Sequence, residues 1–183
     1  MTKKFLPLIR KSKGRIVNIS SISGRAPCMA QSAYSVSKAA VEMFSDILRQ
    51  DVRQFGVKVS ILEPSAFQTD VAERAKMKNV LDEVMGNLSE ETKADFDVED
   101  YSIRFKETID KDEIMPKKHA SEDLSPVVNG ITDALLSTHP RCRYQIGKGA
   151  LVFVSLAHYL PSNVFDFLIC SFSPEWLFIK PKQ

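Results

Sequence analysis

A chain of 183 residues, 44% hydrophobic and 26% charged, is long enough for one ordinary domain and apolar enough to bury a core, which excludes a disordered polypeptide. Its formal net charge of +2, with acidic and basic residues spread through most of the length, leaves no electrostatic footprint for a nucleic acid. The three cysteines, Cys28, Cys142 and Cys170, are odd in number and far apart, and are expected as reduced, buried thiols; His119, His139 and His158 show no metal-ligand spacing, so no metal is expected.

The chain opens on a basic Met1-Thr-Lys-Lys followed by the apolar run Phe5–Ile9, which is too short for a secretory signal and is broken by Pro7. Arg10-Lys-Ser-Lys-Gly14 reads as the C-terminal end of a helix, with cations at the negative end of the dipole and a glycine stop. A chain beginning on the last turns of a helix is expected to be part of a longer one. Arg15–Ser20 is a near-continuous apolar run, the pattern of a buried parallel strand, and residues 21–33 form a Ser-, Gly- and Pro-rich loop. From about Ser32 to Phe55 a helix is expected, with Val36, Ala40, Met43, Phe44, Ile47, Leu48 and Val52 recurring at three- and four-residue steps and Gly56 as its stop. Val57–Leu62 is again β-branched and apolar and stops at Glu63-Pro64. Strand, helix and strand in under fifty residues make a βαβ unit on a parallel sheet.

Residues 70–120 are polar, charged and helical in pattern, with helices expected at 72–88 and 90–111. Another helix is expected over 121–136, then a short strand at Arg143–Ile146. Leu151–Leu160 and Val164–Phe172 are apolar but short of the ~20 residues that a membrane span needs. A segment lying in the membrane interface and one packed on the core or on a second subunit both fit this tail.

Ligands of an open parallel α/β sheet bind beyond the carboxyl ends of its strands. Ser20 and Ser21 fall there after the first strand, Tyr34 and Lys38 on the first turns of the following helix, and Pro64 to Thr69 after the second strand. Tyr34 and Lys38 share a helix face at a four-residue spacing. A cation ~4 Å from a phenol in a partly screened site favours the phenolate by up to ~4 kcal/mol, enough to make a tyrosine useful for proton transfer near neutral pH. A nearby serine hydroxyl can hold an alcohol or carbonyl oxygen as charge develops on it.

The strings Gly14-Arg-Ile-Val-Asn-Ile-Ser-Ser21-Ile-Ser-Gly24, Tyr34-Ser-Val-Ser-Lys38 and Gly56-Val-Lys-Val-Ser-Ile-Leu-Glu-Pro64 resemble consecutive blocks of the short-chain dehydrogenase/reductase family, in order and at family spacing. Phe5–Arg10, Val41–Asp46, Asp123–Pro126 and His139–Tyr144 are similar to its branch of retinol, hydroxysteroid and 3-hydroxybutyrate dehydrogenases. The resemblance implies an α/β fold, a truncated Rossmann-like doubly wound parallel sheet with a helical substrate lid and an apolar C-terminal tail. On it, residues 1–69 are the catalytic βαβ part, 70–120 the lid, 121–149 the last helix and strand, and 150–183 the tail.

The resemblance also implies roles. Tyr34 is the general acid/base, Lys38 lowers its pKa and holds the nicotinamide ribose, and Ser21, thirteen residues before the tyrosine, orients the substrate oxygen. Pro64 and Thr69 match the family element beside the nicotinamide carboxamide, with Ser65 where the family has glycine; a positive φ there would strain Ser65 and weaken cofactor binding. The cofactor is NAD or NADP, because the family's glycine-rich turn and the residue that reads the ribose 2′ position have no counterpart in this sequence. The family's catalytic asparagine has none either, and Asn18, inside a strand, reads as structural.

The implied reaction is interconversion of an alcohol and its carbonyl on a lipophilic substrate of retinoid or steroid type, with a 3-hydroxybutyrate-type substrate as the alternative. A catalytically inactive form acting through dimerisation or membrane association is a further alternative. Implied partners are a second copy of the chain, joined through helices 1–13 and 34–55, and a membrane touched by 150–180. The implied location is intracellular, at the endoplasmic reticulum membrane or in the mitochondrion.

Overall fold

The computed structural model describes residues 1–29, 31–67, 74–111, 120–173 and 181, with side chains from residue 77 onward in the third helix. Two compact units make up the chain, one of residues 1–67 and 123–166 and one of residues 68–122 and 167–183.

The first unit is built on a three-stranded parallel sheet in the order β1 (Arg15–Ile19), β2 (Lys58–Pro64), β3 (Arg143–Ile146). Arg15 pairs with Lys58 and Ile19 with Leu62, and Ile61 pairs with Arg143 and Pro64 with Ile146. This is the α/β parallel-sheet architecture that the apolar runs predict. β2, in the centre, is the most deeply buried strand, and Ile61, Leu62 and Glu63 are fully covered. It runs two residues past the expected stop at Leu62, because Glu63 and Pro64 stay paired with β3.

Alternation along the strands sorts the core into two layers. On one face, Ile16, Val57 and Val59 pack with Leu48 and Val52 of α2 (Ser32–Val52) and with Leu6 and Ile9 of α1 (Thr2–Lys11). On the other, Leu62, Tyr144 and Ile146 pack with Ala134, Val127 and Ile131 of α6 (Ser125–Leu136). Helices on both faces make the sheet doubly wound. α1 ends differently from the expected glycine stop: Lys13, at φ 48°, takes the left-handed position, and the Gly14 amide reaches back to the Ile9 carbonyl at 2.8 Å. α7 (Ala150–Tyr159) is anchored by buried Ala150 and Val154, and its Phe153 meets Phe165 of α8 (Ser162–Phe172) with ring centroids 5.8 Å apart.

The second unit holds α3 (Arg74–Gly86), α4 (Glu90–Asp95) and α5 (Val98–Asp110). The single helix expected over 90–111 is two, because Asp97 accepts from the Asp100 amide at 3.1 Å and caps a new helix start. α3 and α5 are tied by Lys78–Asp110 and Lys106–Asp82, both at 2.6 Å. Within the helix expected over 121–136, the structure starts α6 only at Ser125, with Pro126 in its first turn and Asp123 accepting from the Ser125 amide at 2.8 Å. No helix among the described residues is long and apolar enough to cross a membrane.

The cysteines correct their expectation. Cys142 and Cys170 are exposed and only Cys28 is partly buried; all three are free thiols. Cys142 directly precedes β3, and its carbonyl accepts from the Ile61 amide of β2 at 2.9 Å while its side chain stays exposed.

Tyr144 is the largest fully buried side chain of the first unit. Its hydroxyl donates to Asp133 at 2.6 Å and accepts from the Arg141 amide at 3.0 Å. Burial, and then the Asp133 carboxylate, holds the phenol above its ordinary range. A phenol raised on folding stabilises the fold below its unfolded value near ~10, and that contribution is lost as pH rises through the folded value. Tyr144→Phe is therefore expected to cost about 1–3 kcal/mol in denaturant unfolding at neutral pH and to make the loss of stability above about pH 10 shallower.

Candidate active site

Ser21 follows β1 directly and is buried. Its Oγ accepts from the Ser23 amide at 3.2 Å, capping the 3₁₀ turn Ile22–Gly24, and donates to the Pro64 carbonyl at 3.4 Å. The ends of β1 and β2 are thereby joined at the serine. Ser20, next to it, donates to the Lys38 carbonyl at 3.2 Å. Gly24 permits this approach: a Cβ there would lie 2.9 Å from the Lys38 carbonyl carbon, which is backbone and cannot step aside.

Tyr34 and Lys38 occupy the first two turns of α2. Tyr34 is 46% exposed, Lys38 is half-buried, and the Lys38 ammonium lies 5.6 Å from the centre of the Tyr34 ring. That ammonium donates to the Ile19 carbonyl at 3.4 Å, a long bond that leaves most of its three-donor capacity for a ligand. Ser21, Lys38 and Pro64 therefore converge on the carboxyl ends of β1 and β2, with Tyr34 one turn above Lys38. Thr69 lies outside the described residues.

Ser65 carries no backbone strain, since Lys13 is the one non-glycine at positive φ among the described residues. Its amide donates to the Ile146 carbonyl at 2.8 Å. Its side chain fills the space left by Gly147, where a Cβ would collide with the Ser65 hydroxyl. Asn18 donates to Ser45 of α2 at 2.7 Å, a contact between strand and helix.

Sequence reasoning missed a buried ion cluster beneath this site. The Arg143 guanidinium on β3 binds Glu63 of β2 and both Glu42 and Asp46 of α2. Arg25 stands 3.7 Å from Glu63, and Arg49 pairs with Asp46. Burial raises the Glu42 pKa against the opposing effect of hydrogen bonds from Ser20 and Arg143. Burial also opposes the charge on Arg143, but its hydrogen bonds to Glu42 and Glu63 prevail and hold it above the ordinary guanidinium range. The signal in the sequence was a glutamate and an arginine inside two strands, with two carboxylates four residues apart on the helix before them.

Residues 1–80 match the family described as short chain dehydrogenase. The chain is 38% identical over 168 residues to human 17-beta-hydroxysteroid dehydrogenase type 2, covering 91% of this chain and 42% of that protein. It is 36% identical over 183 residues to mouse retinol dehydrogenase 7, covering all of this chain and 54% of that protein. The chain belongs to the short-chain dehydrogenase family. Within it, the chain falls in the branch of retinol and 17-beta-hydroxysteroid dehydrogenases, and it spans about half the length of the curated relatives it matches.

Solved short-chain dehydrogenases share the fold. One from Streptomyces avermitilis superposes with a TM-score of 0.56 at 23% identity, covering 93% of this chain and 53% of that one. One from Burkholderia cenocepacia, solved in complex with NADP, superposes with a TM-score of 0.59 at 14% identity, covering 95% and 54%.

The Gly24 contact gives a direct test of how tightly the serine loop and α2 are packed. Gly24→Ala is expected to lower stability by about 1–3 kcal/mol in urea unfolding. Gly86→Ala, whose Cβ meets nothing within 4 Å, serves as the control and is expected to stay within about 1 kcal/mol of the parent.

Proposed function

We propose that this chain carries the proton-transfer half of an NAD(P)-dependent dehydrogenase site that interconverts an alcohol and its carbonyl on a lipophilic substrate. The observation that carries the reading is the Lys38 ammonium beside the Tyr34 ring, one turn apart on α2, at the strand ends where Ser21 sits. Ser21 holds the substrate oxygen. Tyr34 takes the alcohol proton in oxidation and returns it to the oxygen in reduction, with the Lys38 ammonium beside its ring.

The donor set fits the nicotinamide-ribose end of a dinucleotide. Lys38 has donors to spare for ribose hydroxyls, and Pro64, at the end of β2, would lie beside the carboxamide. When bound, the nicotinamide supplies or accepts the hydride.

The names of the relatives support a retinoid- or steroid-type substrate over a 3-hydroxybutyrate type. Residues 70–120, with their helices cross-linked by ion pairs, would serve as the substrate lid, and residues 1–69 as the catalytic part. α7 and α8 expose Leu151, Val152, Tyr159, Phe167 and Phe172, which supports peripheral contact with a membrane, the endoplasmic reticulum being the first place to look. Phe5 and Leu8 of α1 and Val36, Met43, Phe44 and Ile47 of α2 are exposed, which supports pairing of two copies through these helices. The same outward faces favour a second reading, in which the chain acts through pairing rather than catalysis.

Titration of the purified chain with NADH and NADPH, followed by nicotinamide fluorescence, separates the two. Saturable binding is expected, with Tyr34→Phe binding as the parent does and losing about 10²–10⁴-fold in turnover of a retinoid or steroid carbonyl. No saturable binding by a folded sample would overturn the catalytic reading for this chain and leave the second.

A further inference from the structure

Tyr34, Lys38, Glu42 and Asp46 are spaced four residues apart on successive turns of α2, so they form one winding stripe along the helix. Its upper two members are the proposed reaction pair. Its lower two are held by Arg143, which is also bound to Glu63 of the central strand. Glu63 precedes Pro64, whose carbonyl accepts from Ser21, and pairs at 3.7 Å with Arg25, which closes the turn after Ser21. Ser20 closes the circuit, since it donates to the Lys38 carbonyl. One guanidinium thus links the helix of Tyr34 and Lys38, the loop of Ser21 and the end of the strand bearing Pro64.

We propose that Arg143 is a positioning residue for the reaction centre, which fixes helix α2 in rotation and height against the strand ends so that Tyr34 and Lys38 face the Ser21 hydroxyl. The proposal rests on the reading of Tyr34 as the proton-transfer group. Arg143 touches neither Tyr34 nor Ser21 in any contact of the described residues and acts through the carboxylates.

Three physical points support it. First, two of the three carboxylates are poorly hydrated, with Glu63 fully buried and Glu42 6% exposed, so their hydrogen bonds to the half-buried Arg143 are weakly screened, while Asp46 stays half-buried at the rim. Second, a buried ion cluster adds little net stability over an apolar core of the same volume, so directional fixing is what distinguishes it. Third, the face of α2 that packs on the sheet offers few apolar anchors, Leu48 and Val52, and both lie near the far end from Tyr34. Glu42 and Ser45 occupy the buried face nearer the site, so polar contacts set the helix position there. A displacement of ~1 Å at the reacting group is enough to cost about 10²-fold in rate.

The test is carried out on the full chain with tyrosine labelled with ¹³C at Cζ. The Tyr34 resonance is assigned by its loss in Tyr34→Phe, and Tyr159, 81% exposed, is the internal reference. In Arg143→Lys, which keeps the charge but not the planar fork, the Tyr34 resonance is expected to shift while Tyr159 stays. In Arg143→Ala, millimolar guanidinium is expected to return the Tyr34 resonance toward its parent position, with sodium at equal ionic strength leaving it shifted. Asp46→Asn, at the rim of the cluster, is the variant expected to fold even where those at Arg143 do not, and should shift Tyr34 in the same direction by less. In a preparation that turns over, Arg143→Lys lowers kcat by about 10²-fold. A parent-like Tyr34 resonance in folded Arg143→Lys or Asp46→Asn, with only the unfolding midpoint lowered, would overturn the proposal. Unchanged turnover in Tyr34→Phe would instead sink the proton-transfer reading and leave the resonance result standing.

Discussion

The contact of half-buried Arg143 with buried Glu42 and Glu63 and with Asp46 at its rim is the constraint on which the first unit depends. A guanidinium offers its donors in a rigid plane, so satisfying three carboxylates from two elements allows little freedom in how those elements lie. Glu63, fully buried at the carboxyl end of β2, tolerates its charge because Arg143 and Arg25 flank it. The apolar layers on both faces of the sheet hold the helices to it but do not by themselves choose a rotation for α2. The charges choose it, and with it the direction in which Tyr34 and Lys38 project.

Much of this fold was legible in the sequence, for simple reasons. Arg15–Ile19 and Val57–Leu62 are short apolar runs between glycines and turn residues, the pattern of parallel strands, and β2 is buried as that pattern implies whereas β1, at the end of the strand order, buries only Ile16. The placement of the candidate site residues was legible for a different reason: a serine past one strand and a Tyr-x-x-x-Lys on the next helix fall on the same sheet edge whenever the unit is βαβ. What periodicity left open was the facing of α2: of the recurring apolar residues, Leu48 and Val52 are buried while Val36, Met43, Phe44 and Ile47 are exposed, and the buried face also includes Glu42 and Ser45. Hydrophobic periodicity assumes that the wet face is the polar one, and that assumption breaks where a helix rests on an ion cluster. The cluster itself was out of reach of periodicity, since Glu42, Glu63 and Arg143 come from three distant segments. The break between α4 and α5 was missed because Asp97 can cap a helix as readily as sit on one.

Membership of the short-chain dehydrogenase family and this geometry meet at the carboxyl ends of β1 and β2. There the main chain does much of the work of placement: the carbonyls of Ile19, Lys38 and Pro64 each accept from a side chain of the site, namely Lys38, Ser20 and Ser21. Ser65, in place of the family glycine, fits because Gly147 across the strand has no side chain to collide with it. The substitution is absorbed by packing rather than by backbone strain.

The claim that a shared buried charge sets this architecture is tested most directly by a double-mutant cycle in denaturant unfolding between Arg143→Met and Glu63→Gln. Removing Arg143 alone leaves buried Glu63 with Arg25, at 3.7 Å, in place of its hydrogen-bonded partner, and is expected to cost about 3–5 kcal/mol. Removing both charges is expected to cost less than the sum of the two single changes by about 1–3 kcal/mol. Costs that simply add would mean that Arg143 and Glu63 are neighbours without being coupled, and would contradict the account.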